Sequence, residues 1–353
     1  MKQSAKNYKR IVVKIGSSIF CSEGGFEGAL FDHIAGQVAS LTRMKYELIV
    51  VSSGAIALGM RVLGLRSRPG DLSFLQAAAS IGQNALMDNY SRAFRGDKVN
   101  CGQILLTRED FNDRKRYLNA KNTLTTLLKL GSIPVINEND TISTDEIRFG
   151  DNDRLSALVA VLCGADLLVM LSDVDGLLDK DKKVIRVIDE ITPQIKALAC
   201  PTDKKTCVGG MITKIEAAKI ALDSGIPCVI ANGRKQGMIL SVLNEPGKHG
   251  TLFSPKKSLA ARERWIAFGT KPKGKIRADH GACKALLEKK SLLSVGVSGV
   301  EGDFEAGDIV SVVDSQGNEI ARGKSGIPGR QLQKVMGSRF DKEVIHRNNI
   351  VIL

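Results

Sequence analysis

Over the first 250 residues, short apolar runs alternate with longer stretches in which apolar residues recur every three or four positions. The runs Arg10–Ile15, Glu47–Ser52, Gly102–Leu106, Ile133–Ile136, Asp166–Leu171 and Pro227–Ala231 predict strands. Between them, Phe31–Lys45, Ser73–Arg95, Tyr117–Lys129 and Asp153–Cys163 carry the spacing of amphipathic helices. Buried strands separated by helices predict an α/β fold: a three-layer sandwich around a mainly parallel sheet. Ligands of such folds bind beyond the carboxyl ends of the strands. The runs end in small or polar residues there: Gly16-Ser17-Ser18, Ser52-Ser53-Gly54, Asn137-Glu138-Asn139-Asp140 and Ser172-Asp173. That edge is where chemistry is expected.

The pattern changes near residue 255. Ser254-Pro255-Lys256-Lys257 opens a basic connector, and beyond it come a short helical run (Gly281–Lys289) and short β-runs at Val295–Val300, Ile309–Val313 and Val344–Ile352. The expected organisation is an α/β domain over 1–255, a linker over 256–277 and a small β-rich domain over 278–353. Charge changes how this tail reads. The whole chain carries +13, and residues 256–277 hold eight basic residues against one acid. Residues 278–353 hold ten of each sign. A neutral domain does not supply the several Lys or Arg contacts that strong nucleic-acid binding needs.

Composition excludes several classes. Lys14 interrupts the first apolar run, so no signal-peptide core forms, and no apolar stretch nears the ~20 residues of a membrane span. The seven cysteines are scattered, odd in number and never in CxxC spacing, which favours reduced thiols in a cytoplasm over a zinc site or disulfide frame. The four histidines lie far apart, none at metal-ligand spacing.

The candidate chemistry starts at Val208-Gly209-Gly210-Met211-Ile212-Thr213-Lys214, ahead of a helical run. Paired glycines let backbone approach a ligand, and the helix start directs unpaired N–H groups at an anion such as a nucleotide phosphate. Thr213 and Lys214 add a hydroxyl and a cation. A lysine within an apolar strand is costly unless its ammonium meets an anion or water, so Lys14, beside Gly16, is a candidate phosphoryl clamp. Ser52-Ser53-Gly54 suits a carboxylate, although a serine there also serves as an N-cap. Asn137–Asp140 and Gly150-Asp151-Asn152-Asp153 gather acids and amides that fit a substrate ammonium or hold the site's lysines. Ser172-Asp173 can bracket a nucleotide or form a plain turn. Gly269-x4-Gly274-Lys275 imitates a P-loop, but Ile276 stands where Ser or Thr would bind magnesium.

Taken in order, Lys14-Ile15-Gly16-Ser17-Ser18, Ser52-Ser53-Gly54-Ala55, Ile136–Asp140, Gly150–Asp153 and Gly209–Lys214 resemble the amino acid kinase family, in particular its bacterial glutamate 5-kinases. Gly250-Thr251-Leu252-Phe253 closes the kinase part as in that family. The tail, with Asp279-x-Gly281-Ala282, Gly302-x-Phe304-x-x-Gly307-Asp308 and Gly317-x-x-Ile320-Ala321-Arg322-Gly323, resembles a PUA domain. The resemblance implies ATP-dependent phosphorylation of the γ-carboxylate of L-glutamate, with magnesium bridging the phosphates, as the first step of proline synthesis. It implies that Lys14 and Lys214 stabilise the moving phosphoryl group, with Asp153 holding them in place. Ser53, Asp140 and Asn152 would bind glutamate. Lys14, Gly16, Ser172, Asp173 and the loop Val208, Gly209, Gly210, Met211, Ile212, Thr213, Lys214 would bind ATP. A homo-oligomer, feedback by proline and weak RNA contact through the PUA domain are further expectations; no membrane is involved.

The chain departs from the family pattern at Val208, where a hydroxyl is usual, at Ser172 in place of Thr, and at Leu178 in place of Tyr. No charged group is lost. The alternatives are another acceptor on the same fold (acetylglutamate, aspartate, carbamate or UMP) and an RNA-associated PUA protein.

Overall fold

The computed structural model describes residues 8–22, 25–142, 152–199, 210–255, 263, 266–267 and 272–352. Two compact units divide the chain, Met1–Ser258 and Leu259–Leu353.

In the first unit, strands β1 (Arg10–Ile15), β4 (Glu47–Ser52), β5 (Cys101–Leu106), β6 (Ile133–Glu138), β7 (Leu167–Ser172), β8 (Val187–Ile188), β9 (Cys228–Asn232) and β10 (Thr251–Phe253) form one sheet in the order β5-β6-β4-β1-β7-β9-β10-β8. A small hairpin, β2 (Cys21–Ser22) with β3 (Gly25–Phe26), stands apart from it. All pairings in the large sheet are parallel except β9 with β10. Central strands buried on both faces must be apolar throughout, as β1 and β7 are apart from Arg10, Lys14 and Ser172. The helices are α1 (Ser17–Phe20), α2 (Gly28–Arg43), α3 (Ala55–Val62), α4 (Leu72–Arg95), α5 (Arg108–Asn112), α6 (Arg114–Lys129), α7 (Asn152–Cys163), α8 (Pro193–Ala197), α9 (Met211–Asp223) and α10 (Met238–Asn244).

Alternation along the strands assigns the two faces. Ile11, Val13 and Ile15 of β1, Leu48 and Val50 of β4, and Ile133 and Val135 of β6 share one core with Phe31, Ile34, Leu86 and Tyr90 of α2 and α4. Lys14 falls on the opposite face, which α7 and α9 cover. Helix α4 starts at Asp71, whose side chain accepts from the backbone N–H groups of Ser73 and Phe74. It crosses α3 at backbone contact. A Cβ on Gly59 would lie 1.7 Å from the Ala78 oxygen, and one on Gly82 would lie 1.7 Å from the Ala55 oxygen.

The second unit is a five-stranded sheet, β12 (Val297–Glu301), β11 (Gly274–Ala278), β13 (Ile309–Val313), β14 (Glu319–Lys324) and β15 (Ile350–Ile352), in that order. Helices His280–Leu287 and Gly329–Val335 pack with it around Ile276, Leu286, Phe304, Val312 and Leu332. Two sequence expectations are corrected here. The linker over 256–277 ends earlier, because Gly274–Arg277 form most of β11, held between β12 and β13. Ile266 and Ala267, also within it, are buried against Ile309 and Val351, and Arg322 Nη1 donates to the Ala267 oxygen at 2.7 Å. The run Val344–Ile352 is strand only over its last three residues, after a 3-10 turn at Arg347–Asn349. Gly274, the second glycine of the P-loop imitation, opens a strand rather than a helix, with the Phe304 ring where its Cβ would be.

Candidate active site

Parallel pairing brings the carboxyl ends of β1, β4, β6, β7 and β9 together. Ile15 stands in register with Ser52 and Leu171, and Ser172 with Asn232. Helices α7 and α9 both begin at this edge, and their first turns supply Asn152, Asp153, Thr213 and Lys214.

The α7/α9 face carries charge. Lys14 Nζ lies 2.5 Å from Asp153 Oδ1, and Lys214 Nζ lies 3.1 Å from Asp153 Oδ2. All three side chains are buried: Lys14 is 5% exposed, Asp153 2% and Lys214 6%. Thr213 Oγ1 donates to Asp153 Oδ2 at 2.7 Å. Burial alone would push the Asp153 carboxyl up. The Lys14 and Lys214 ammoniums, with hydrogen bonds from Lys14 and Thr213, outweigh burial and hold it down at about 2. Two buried ammoniums thus meet on one carboxylate in a desolvated place.

The α4 side is built from neutral groups. Ser52 and Asn137 continue the alternation of β4 and β6 toward α4. Tyr90 Oη donates to Ser52 Oγ at 2.8 Å, and Asn137 Nδ2 donates to Gln83 Oε1 at 2.9 Å. Burial pushes the Tyr90 hydroxyl far above its ordinary value, so it stays a donor. Asn152 spans the edge: its Nδ2 donates to Ser53 Oγ at 2.9 Å and to Asn137 Oδ1 at 3.0 Å. Gly54 starts α3 with φ of 109°, a backbone that favours glycine and turns the chain sharply after Ser53.

Of the residues expected from sequence, Lys14, Asp153, Thr213 and Lys214 meet directly, and Ser53 meets Asn152. Asp140 is half-buried just past β6, and Gly16 follows β1 with its N–H donating to the Leu171 oxygen. Ser172 is buried at the end of β7, and its hydroxyl donates to Asp173 at 3.1 Å. Gly210 caps α9, which opens with Met211 and the exposed Ile212. Val208, Gly209 and Asp151 lie outside the described residues. Gln83, Tyr90 and a direct part for Asn137 went unseen in sequence. Gln83 did leave a signal, a polar residue within the apolar stripe Ala79, Gly82, Leu86, Tyr90 of α4. Among the described residues, no group of three or more His, Cys, Asp or Glu side chains is arranged to hold a metal ion. No helix of the described residues is long and apolar enough to cross a membrane.

The chain is similar to known proteins over both of its units. The pattern of the amino acid kinase family matches residues 9–232, and that of the PUA domain matches residues 274–346. A glutamate 5-kinase from Thermoanaerobacter sp. (strain X514) is 43% identical over 98% of both chains. One from Brucella anthropi is 42% identical over 100% of this chain and 98% of its own. In fold, the chain is similar to N-acetylglutamate synthase from Neisseria gonorrhoeae, solved with coenzyme A and N-acetyl-glutamate. The TM-score is 0.53 at 18% identity, over 81% of this chain and 67% of that one. With a buried two-lysine cluster at the strand ends and relatives of this similarity along its whole length, the chain belongs to the amino acid kinase family and carries a C-terminal PUA domain.

Proposed function

We propose that the chain is a glutamate 5-kinase, transferring the γ-phosphoryl group of ATP to the γ-carboxylate of L-glutamate. The observation that carries the reading is the Lys14–Asp153–Lys214 cluster, two buried ammoniums aimed by one carboxylate at the strand ends, where a phosphoryl group would pass. A carboxylate oxygen is already a nucleophile. It forms the new bond to phosphorus while the bond to the β-phosphate oxygen breaks and ADP leaves, so no strong base is required. Asp153 fits that absence: held ionised at about 2 by two cations, it takes up no proton near neutrality and serves to aim the ammoniums. Such transfer needs positioning and charge stabilisation more than covalent help. Lys14 and Lys214 supply the charge, and the N–H groups at the start of α9 supply further donors for phosphate.

Ser53, Asp140 and Asn152 are assigned to glutamate, on the side away from α9. Gly16, Ser172, Asp173 and the loop Val208, Gly209, Gly210, Met211, Ile212, Thr213, Lys214 are assigned to ATP. Magnesium enters as part of MgATP, since it binds phosphates with few protein ligands. The free thiols Cys101, Cys163, Cys228 and Cys283 support a reducing, cytoplasmic setting. A homo-oligomer and inhibition by proline complete the proposal. The even charge of residues 278–353 supports weak RNA contact with shallow salt dependence.

The test is ADP release from ATP with L-glutamate, acetylglutamate, aspartate, carbamate or UMP as acceptor. Release dependent on L-glutamate alone is the expected result. Faster release with another acceptor would overturn the assignment.

A further inference from the structure

We infer that Gln83 is a positioning residue that holds Asn137, and through it the hydrogen bonds of the acceptor half of the site. The inference rests on the reading of Ser53 and Asn152 as acceptor ligands. Gln83 lies on α4, far in sequence from each group it would govern, and touches only Asn137 among them. Its side chain is nine-tenths buried.

The argument follows donors and acceptors. The Glu138 N–H can only donate, so the Asn137 atom it meets is Oδ1, and the atom facing Gln83 Oε1 is the Nδ2 donor. Asn137 Oδ1 thus faces the strand end, where it accepts from the Glu138 N–H at 2.9 Å and from Asn152 Nδ2 at 3.0 Å. Asn152 is then oriented in turn. Both protons of its Nδ2 are committed, one to Asn137 and one to Ser53 Oγ. Two consequences reach the crevice. Ser53 Oγ, already accepting, is left to donate, which suits a carboxylate. Asn152 Oδ1, buried without a partner among the described residues, is left to accept, which suits an ammonium group. An α-amino acid offers both groups. Without the Gln83 oxygen, Asn137 Nδ2 is left buried with an unpaired proton, and the amide loses the anchor that holds it against Asn152.

Backbone packing holds Gln83 where this requires. Its neighbour Gly82 touches the Ala55 oxygen at the start of α3, two residues beyond Ser53. Seven residues on, Tyr90 grips Ser52 from the same helix face. Helix α4 therefore meets the acceptor loop at three points, and Gln83 is the one that carries polarity.

The experiment measures steady-state kinetics of the full chain with Gln83→Leu, Ser53→Ala and the double variant. Gln83→Leu is expected to raise the KM for L-glutamate about tenfold, the scale of one lost buried hydrogen bond. The KM for MgATP should stay within about twofold. In the Ser53→Ala background, Gln83→Leu should add less than about twofold, since both act through one chain. Equal rises in both KM values, or effects that multiply, would overturn the inference. Urea midpoints report folding, and Gln83→Met carries the same test if Gln83→Leu does not fold. If the wild type shows no glutamate-dependent ADP release, the acceptor reading fails separately, and the cycle is run with the acceptor that the screen identifies.

Discussion

On the α7/α9 face of the sheet edge, three charges fix one another within two short ion pairs. On the α4 face, neutral amides and hydroxyls form a relay that begins at Gln83 and ends at Ser53. The charged cluster needs no outside support to know its direction: a carboxylate between two ammoniums has one favourable arrangement. Amides have two, related by a flip, and the relay is single-valued only because the Glu138 N–H fixes Asn137 and Gln83, on a distant helix, holds its other end. Charge thus supplies strength on the phosphoryl side. Hydrogen-bond polarity supplies selectivity on the acceptor side, where a buried group left unpaired penalises the wrong ligand. Asn152 and Asp153, adjacent in the first turn of α7, join the two.

The sharpest way to break this comparison is Asp153→Asn. It removes the carboxylate that Lys14 and Lys214 both contact, and a broken buried pair costs about 3–5 kcal/mol. Urea unfolding should show a loss of that size, with turnover falling alongside. A variant within about 1 kcal/mol of wild type would mean that the cluster does not depend on Asp153. Lys14→Ala and Lys214→Ala come next. Each should lower kcat by about 10²-fold or more, as loss of one transition-state donor does, while a buried charge is removed rather than stranded. Near-normal turnover in both, with folding intact, would remove the charged half from the chemistry.

The charged half was far more legible in sequence than the neutral one. Lys14 stands out because it alone is polar between Ile11 and Ile15, and a buried ammonium demands an anion wherever it sits. The same rule made the Asp and Asn cluster at 150–153 a candidate partner. Gln83 offered less. Its partner Asn137 is 54 positions away, and periodicity places a residue on a face without saying which strand end meets it. Fold boundaries follow similar logic. Strands buried on both faces, such as β1 and β4, read cleanly, with the predicted limits Arg10–Ile15 and Glu47–Ser52. Strand β14, with Glu319, Arg322 and Lys324 among its six residues, carries too little apolar alternation to announce itself. The linker hid β11 because Lys275 and Arg277 point outward from a strand whose inward residues are only Gly274, Ile276 and Ala278.

The two halves should also differ in their response to acid. Asp153 titrates at about 2 when folded and at about 3.9 when unfolded. A lowered folded value contributes stability that is fully present above the unfolded pKa and is lost as pH falls through the folded one. The window therefore runs from about pH 5 down to about pH 2, and the contribution is roughly 2–3 kcal/mol. The more exposed carboxylates with lowered values, Asp71, Asp175, Glu245, Asp314 and Glu319, act alike in wild type and variant. Subtracting the acid profile of Asp153→Asn from that of wild type isolates the buried one. A flat difference over that window would show that Asp153 is not held ionised by the two lysines.

The smallest expected effect tests the neutral half at its other anchor. Tyr90→Phe removes one hydroxyl from a fully buried ring that also stacks 4.7 Å from Phe31 and 5.6 Å from Phe94. The ring packing survives, so the loss is a single neutral hydrogen bond, about 1 kcal/mol. Ser52 Oγ loses its donor but keeps the Ser53 oxygen as an acceptor at 3.2 Å, and the Ser53 N–H remains tied to Ile15. Tyr90 steadies the loop without choosing the direction of any bond in the relay. Its removal should therefore lower the urea midpoint slightly and raise the KM for L-glutamate by no more than about threefold, less than the loss of Gln83. If Tyr90→Phe instead matched Gln83→Leu in KM, the acceptor half would depend on the rigidity of α4 as a whole, and polarity would no longer distinguish the two faces of the site.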